Sequence, residues 1–542
     1  MENILFHNGP IVTMAAGEDG SSAGPDAVLV SGDRIAMLGS LEDVRRAADR
    51  QDGDVKDIDL NGRALLPGFI DGHMHPLPMI FFALAADLDG AATCDDIRSR
   101  LQAQRARLAA DEWLIAVQFE NNKLPDGDVL SAAVLDQWFP DIPVLIYARD
   151  GHSIVVNSLV LGLIDLDRPD PDGGTIGRNV DGSPSGYFYE KALGLVQAVA
   201  ARPDRARFVA QGQKVFDDLA RCGITSVGIM LQSDEEGPGG AGSKGESQIM
   251  AALRDTIPQS VYAIIIGKTM QGIEAALQSA LNDPQGASSV RAFKIFADGT
   301  FGSCTACMAE AYADKPCTHG YMTLPEDEIY RRMETAHMAG YQVCIHAIGD
   351  QGIANCVGMF ERLLEEHPRD HRHRIEHASI ADQKLIARIA KLGLHICTQP
   401  LFIRSEMDWL PKRLGAERAR HAYPFRDYID AGIILAASSD APIEDTSVIA
   451  GMDFAVNRGG FHPHQGVSVA EALAMYTRDA ARLEFSEHEK GSIEVGKLAD
   501  LVILDRNPLD GDPADIGSLI VEATMIRGVM VHDIRQSGSI SA

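Results

Sequence analysis

Two histidines spaced i and i+2, His73 and His75, are the residues of this chain with the clearest chemical reading. On a β-strand alternate side chains leave the same face, so two imidazoles at that spacing can chelate one ion. The preceding run Pro67-Gly68-Phe69-Ile70-Asp71-Gly72 ends a strand with small residues and permits close approach to a metal. Four more residues stand at or near the ends of short apolar runs: Lys294, His346, His377 and Asp440. Each alone has an ordinary reading. A lone histidine packs or faces solvent, Lys294 pairs with an acid, and Asp440 caps a helix. All six at strand ends predict the centre of a metal-dependent hydrolase, because strand C-termini are where a (β/α)₈ enzyme keeps its chemistry.

Positioning them requires alternating strands and helices. Apolar runs at 64–70, 224–229, 261–266, 291–296, 342–345, 374–376, 395–398 and 433–437 alternate with helical stretches such as 328–339 and 381–392. Eight such units predict an α/β fold, a TIM-type (β/α)₈ barrel. The chain ends have another texture. Short strands are expected at 4–6, 11–14, 27–30 and 34–38, with a hairpin turn within 30–35, and again at 499–504 and 525–532. These ends pair into one small β-sandwich domain, with residues 1–63 and 491–542 as its halves around a barrel at 64–490. The stretch of roughly 85–205 is too long for a βα crossover. It carries a helix at 95–110 and a strand at 144–148, and reads as a subdomain inserted after the first barrel strand, over the barrel mouth.

Composition narrows the partners. Lys and Arg total 49 against 77 Asp and Glu, a net charge of −28 that repels nucleic acid and anionic membranes. The first ten residues lack a basic stretch followed by an apolar run, and no apolar run approaches the ~20 residues of a membrane span. A cytoplasmic enzyme with a small-molecule substrate is expected, as a homodimer, the commonest closed assembly. Eight scattered cysteines do not form a disulfide framework. Cys304 and Cys307 make a CxxC without a second at zinc-ribbon spacing, so they read as reduced thiols.

Longer motifs carry a resemblance over almost the whole chain: PGFIDGHMHP at 67–76, ARDGHSIVVNS at 148–158, GGTIGRNVDGSPSGYFYE at 173–190, KIFADGTFGS at 294–303, IHAIGD at 345–350, RIEHAS at 374–379, SSDAPI at 438–443 and GSIEVGKLADLVILD at 491–505. The chain resembles the amidohydrolase superfamily, and within it the amidohydrolase-3 (YtcJ-like) branch with its N-substituted formamide deformylase-type hydrolases. That resemblance implies that His73 and His75 bind one divalent metal and His346 and His377 another. Lys294, carbamylated, bridges the two, and Asp440 binds the first and handles the proton. Zn²⁺ suits such donors, as one ion or two, although iron, nickel and manganese do as well. Gly72 stands where the family often has Ser, and Cys304 where an Arg is common; neither is a proposed ligand.

The implied reaction is attack of a metal-activated hydroxide on an amide, formamide or cyclic amide. A lactone or ester hydrolase, or a deaminase, would use the same site. A non-catalytic barrel would be marked by lost ligands, and all six positions are intact. For substrate contacts the insertion offers His152, as a catalytic donor to the tetrahedral oxygen or as a supporting residue, together with Tyr189 and Glu190. Phe81, Phe82, Phe402 and Trp409 supply candidate apolar walls. Arg404 reads either as a carboxylate contact or as a surface residue.

Overall fold

The computed structural model describes residues 3–15, 24–51, 53–109, 112–120, 124–125, 129–149, 153–166, 169–171, 174–190, 192–200, 205–234, 245–283 and 288–535. At its centre is an eight-stranded parallel sheet: β1 (Phe69–Met74), β2 (Ile224–Gln232), β3 (Ser260–Ile266), β4 (Ser288–Phe296), β5 (Gln342–Ala347), β6 (Arg374–His377), β7 (His395–Thr398) and β8 (Leu435–Ala437). All eight expected strands are present, paired in chain order. Most are buried along their whole length, as a sheet covered on both faces must be. This is the TIM-type barrel.

The sheet curls until β8 meets β1, and there the closing bonds come from the loop after β8. Asp440 N–H donates to His73 O at 2.9 Å, and His75 N–H to Ala441 O at 2.8 Å. The barrel floor is stopped by the helix Arg478–Leu483. Its Ala480, Ala481 and Leu483 pack on Ile70, Cys397 and Ala436, while Gln342 Nε2 donates to Leu483 O.

One boundary differs from expectation. The apolar run 64–70 is two strands. Ala64–Pro67 runs antiparallel to Leu501–Leu504 in the small domain, and β1 starts at Phe69. Gly68 is the break, because a side chain there would lie 2.3 Å from the Thr225 hydroxyl. His73 therefore sits inside β1, not beyond it.

Two four-stranded sheets make the small domain. One joins Asn3–His7, Ala27–Ser31, Arg34–Gly39 and Val55–Asp59; the other joins Ala64–Pro67 with Leu501–Leu504, Val521–Ile526 and Val529–Asp533. Phe6, Val28 and Val30 of the first share a core with Leu65, Leu501, Ile503 and Met525 of the second, so both chain ends build one sandwich. The expected strand at 11–14 reduces to a single bridge from Ile11 to Leu65, since Met14 turns into the left-handed region at φ 54°. The stretch 525–532 divides at Arg527-Gly528 into two strands.

Between β1 and β2 lies the inserted sheet, with strands ordered Gly174–Arg178, Pro184–Glu190, Ser153–Val156, Val144–Ala148, Leu114–Phe119 and Ala86–Asp87. It has apolar cores of its own. The helix Pro76–Leu84, which starts directly after His75, leads into it, and Phe81 meets Tyr147 edge-on at 5.9 Å. All eight cysteines are free thiols. Among the described residues no helix is long and apolar enough to cross a membrane.

Candidate metal centre

The chain enters the site on β1 and leaves it by a sharp turn. Asp71 sits two residues before His73, and its carboxylate accepts from the N–H of His73 and of Ser439, pinning β1 to the loop after β8. His75 caps the next helix, whose first residue is Pro76; a missing N–H costs nothing at that position. His73 and His75 are thereby turned toward Asp440. Their Nε2 atoms lie 3.3 and 3.2 Å from Asp440 Oδ1.

That oxygen is the telling atom. Asp440 Oδ1 is buried and accepts no hydrogen bond, although two imidazole nitrogens face it. A buried carboxylate oxygen aimed between ring nitrogens, with none donating to it, fits a cation shared among them. Ligand atoms of His73, His377 and Asp440 lie within 4.8 Å of one another, and all three residues are buried.

The orientation of each ring is set from behind. His73 Nδ1 donates to Glu376 Oε2 at 2.7 Å, leaving Nε2 with its lone pair toward Asp440. Glu376, fully buried, takes the Arg374 Nε donor on its other oxygen at 2.5 Å. His377 Nδ1 donates to Gln399 Oε1 at 2.7 Å, and Gln399 donates on to Ser438. His346 Nε2 donates to Gly299 O at 3.1 Å, which leaves Nδ1 as its acceptor, and its ring meets that of His377 edge-on at 4.5 Å. Such outer partners fix the tautomer and direction of a metal-binding histidine.

Electrostatics follow from burial. Burial pushes His75, His346 and His377 down, His377 to about 3, so these imidazoles are neutral and free to ligate. Burial disfavours the Asp440 carboxylate, whereas a proton on the His73, His75 or His377 ring would hold it well below its ordinary value. Glu376 is likewise held low, against its burial, by Arg374, Lys294 and His73. Lys294 is 1% exposed on β4, its ammonium over the Phe296 ring, and burial lowers its pKa against the pull of Glu376 and Asp440. Asp298, pushed up to about 7 by burial, takes the N–H groups of Cys307, Ile348 and Gly349 and holds the loop beside His346.

The backbone is bent to make this geometry. His377, Ala378 and Asp440 occupy the left-handed region at φ 71°, 47° and 56°. Each such residue costs on the order of 1–3 kcal/mol and persists where its surroundings fix it. Here Ala378 N–H is held by Ala347 O, and Asp440 N–H by His73 O.

The six residues singled out in the sequence all reach the barrel mouth. Phe402 joins them, its ring parallel to that of His377 at 6.0 Å. The same short helix, Phe402–Glu406, carries Glu406, whose half-buried carboxyl takes the Tyr423 hydroxyl and is pushed up to about 7 by desolvation. The other expected contacts lie apart. Arg404 pairs with Glu444 at 3.0 Å, and Trp409 donates to Ser405 O. Tyr189 is 40% exposed on the inserted sheet and stacks on Tyr187. His152 and the Glu190 side chain fall outside the described residues. Asp71, Arg374, Glu376, Gln399 and Asp298 were not singled out from sequence. Asp71, Arg374 and Glu376 carried a readable signal, charges inside otherwise apolar strands.

Comparison with known proteins places this geometry among relatives. The model of the amidohydrolase family matches residues 56–532. Putative amidohydrolase YtcJ of Bacillus subtilis (strain 168) is 31% identical over 98% of this chain and 99% of its own. N-substituted formamide deformylase of Arthrobacter pascens is 26% identical over 98% and 99%. A metal-dependent hydrolase from Pyrococcus furiosus, known as a crystal structure, is 27% identical with a TM-score of 0.76, covering 94% of this chain and 100% of its own.

Proposed function

This chain belongs to the amidohydrolase family, and on that premise we propose that it cleaves a carbon–nitrogen bond in an amide, formamide or cyclic amide. The observation that carries the reading is Asp440 Oδ1, buried, without a hydrogen bond, and faced by two imidazole nitrogens. His73, His75 and Asp440 would hold one divalent ion, Zn²⁺ by donor type, and His346 and His377 a second. A divalent cation in such a site lowers the pKa of bound water toward ~7 and polarises a carbonyl.

The residues do the rest. Asp440, its carboxylate set against the His73 and His75 rings, would accept the proton of the attacking water and pass it to the leaving nitrogen. Glu376 holds the His73 ring in one tautomer. Lys294, whose burial shifts its balance toward the neutral amine against the pull of Glu376 and Asp440, is suited to carbamylation, which needs that form. Phe402, stacked along His377, supplies an apolar wall for an acyl or aryl group. Support for the C–N bond comes from a full-length relative named N-substituted formamide deformylase.

The test is metal analysis of purified protein followed by a panel of N-formyl, N-acyl, imide, lactone and aminopurine substrates. Turnover of the first three classes is expected. Turnover confined to lactones or aminopurines would replace this reading with ester hydrolysis or deamination. Absence of bound divalent metal would remove the centre altogether.

A further inference from the structure

The strands that carry metal ligands at one end are also polar at the other. Where β6, β7 and β8 begin, the segments 369–372, 393–395 and 432–434 enclose, with Ala390 and Arg482, a cavity of about 380 Å³. It lies on the opposite side of the barrel from His377 and Asp440, which follow the C-terminal ends of the same strands.

Its side chains are cationic in a chain whose net charge is −28. Arg369, Arg372 and Arg482 line it, with His371 and His395. Three carboxylates answer them: Glu487 pairs with Arg372 at 2.7 Å, the exposed Asp370 lies beside Arg369, and Asp479 acts on Arg482 from the same helix. Arg369 also donates to His337 Nδ1 and Tyr341 O. Arg482, exposed at the end of the floor helix, forms no ion pair among the described residues, and its carbonyl accepts from Arg372 and from the Phe485 N–H. His395 is 7% exposed, yet its Nδ1 has no hydrogen-bond partner. That nitrogen is shielded from solvent, so the groups the cavity presents to a ligand are the guanidinium side chains.

We propose that this cavity binds a small, multiply charged oxyanion. Guanidinium forks match phosphate and carboxylate oxygens. A water occupies about 30 Å³ of liquid, so the cavity holds roughly ten water-sized groups, enough for a pyrophosphate or a tricarboxylate. The site is separate from the metal centre, so its ligand does not compete with substrate.

Isothermal titration of the metal-loaded, full-length protein with inorganic phosphate, pyrophosphate and citrate at low chloride tests this. At least one should bind with a Kd below about 1 mM, and more weakly as salt rises. Arg482→Gln should weaken binding about tenfold or more, and Arg482→Lys less, since a lysine keeps the charge but loses the fork. Arg482 is exposed, so both variants should melt like the wild type without anion, which separates lost binding from lost folding. Binding of the two phosphates without citrate identifies a phosphoryl ligand, and citrate alone a polycarboxylate. No binding by any of the three near 10 mM, or unchanged affinity in Arg482→Gln, overturns the proposal.

Discussion

The barrel mouth and the inserted sheet were both expected to supply the site, and they are built on opposite principles. At the mouth four of the six candidate ligands are tied to a further partner: His73 to Glu376, His377 to Gln399, His346 to Gly299, and Asp440 to the backbone of β1. On the insertion Tyr189 is 40% exposed and stacked on its neighbour Tyr187. The candidate ligands at the mouth are buried and fixed by their surroundings, whereas the side chain the insertion offers is a surface residue constrained mainly by its neighbour.

That contrast predicts a ranking. Asp440→Asn should keep metal but lower kcat by about 10³-fold, the range for losing a proton-transfer group; steady-state kinetics beside metal analysis measures it. Next comes Glu376→Gln, which leaves the Arg374 guanidinium buried and unmatched. Breaking such a pair costs about 3–5 kcal/mol of stability, and loosening His73 should weaken metal affinity about 10–100-fold. Denaturant unfolding and metal titration read the two effects separately. A Glu376→Gln protein as stable as wild type would show that the mouth is less interlocked than the contrast requires.

A smaller effect lies at Glu406, and its sign follows from linkage. Its carboxyl ionises near 4.5 in an unfolded chain but is pushed up to about 7 in the fold. The group therefore stabilises fully below its unfolded value, and that contribution is lost as pH rises through about 7. Glu406→Gln, neutral throughout, should gain on wild type by about 2 kcal/mol between pH 5 and pH 8. Equal pH profiles in chemical denaturation would refute the neutral acid. Smallest of all, Tyr189→Ala should change stability by less than about 0.5 kcal/mol and affect KM more than kcat. A loss of kcat as large as that of Asp440→Asn would collapse the distinction between mouth and insertion.

The same distinction governs what could be read from the sequence. The ligands were legible because strand ends, imidazole spacing and motif length are local properties. His73 and His75 lie two residues apart, and each of the others closes a short apolar run. Glu376 stood in plain view beside His377, but its role depends on a residue 303 positions away. The first strand was misplaced because apolarity runs unbroken from Ala64 to Ile70. What divides it is Gly68 passing over the Thr225 side chain, a contact that no local pattern encodes. The cleft at the foot of β6–β8 was invisible for a similar reason: Arg482 comes from a different part of the chain from Arg369 and Arg372.

The bonds between β1 and the loop after β8 also bear on how this protein is made. Asp71 and Ser439, which meet across that seam, are 368 residues apart in the chain. At about 5–20 residues per second on the ribosome, the first strand waits on the order of tens of seconds for its last neighbour. Throughout that interval β1 can pair with β2 but presents a bare edge on its other side, the kind of edge that recruits strands from other nascent chains. The ring of candidate ligands is therefore the last part of the barrel to exist, and those on β1 are the oldest residues waiting for it.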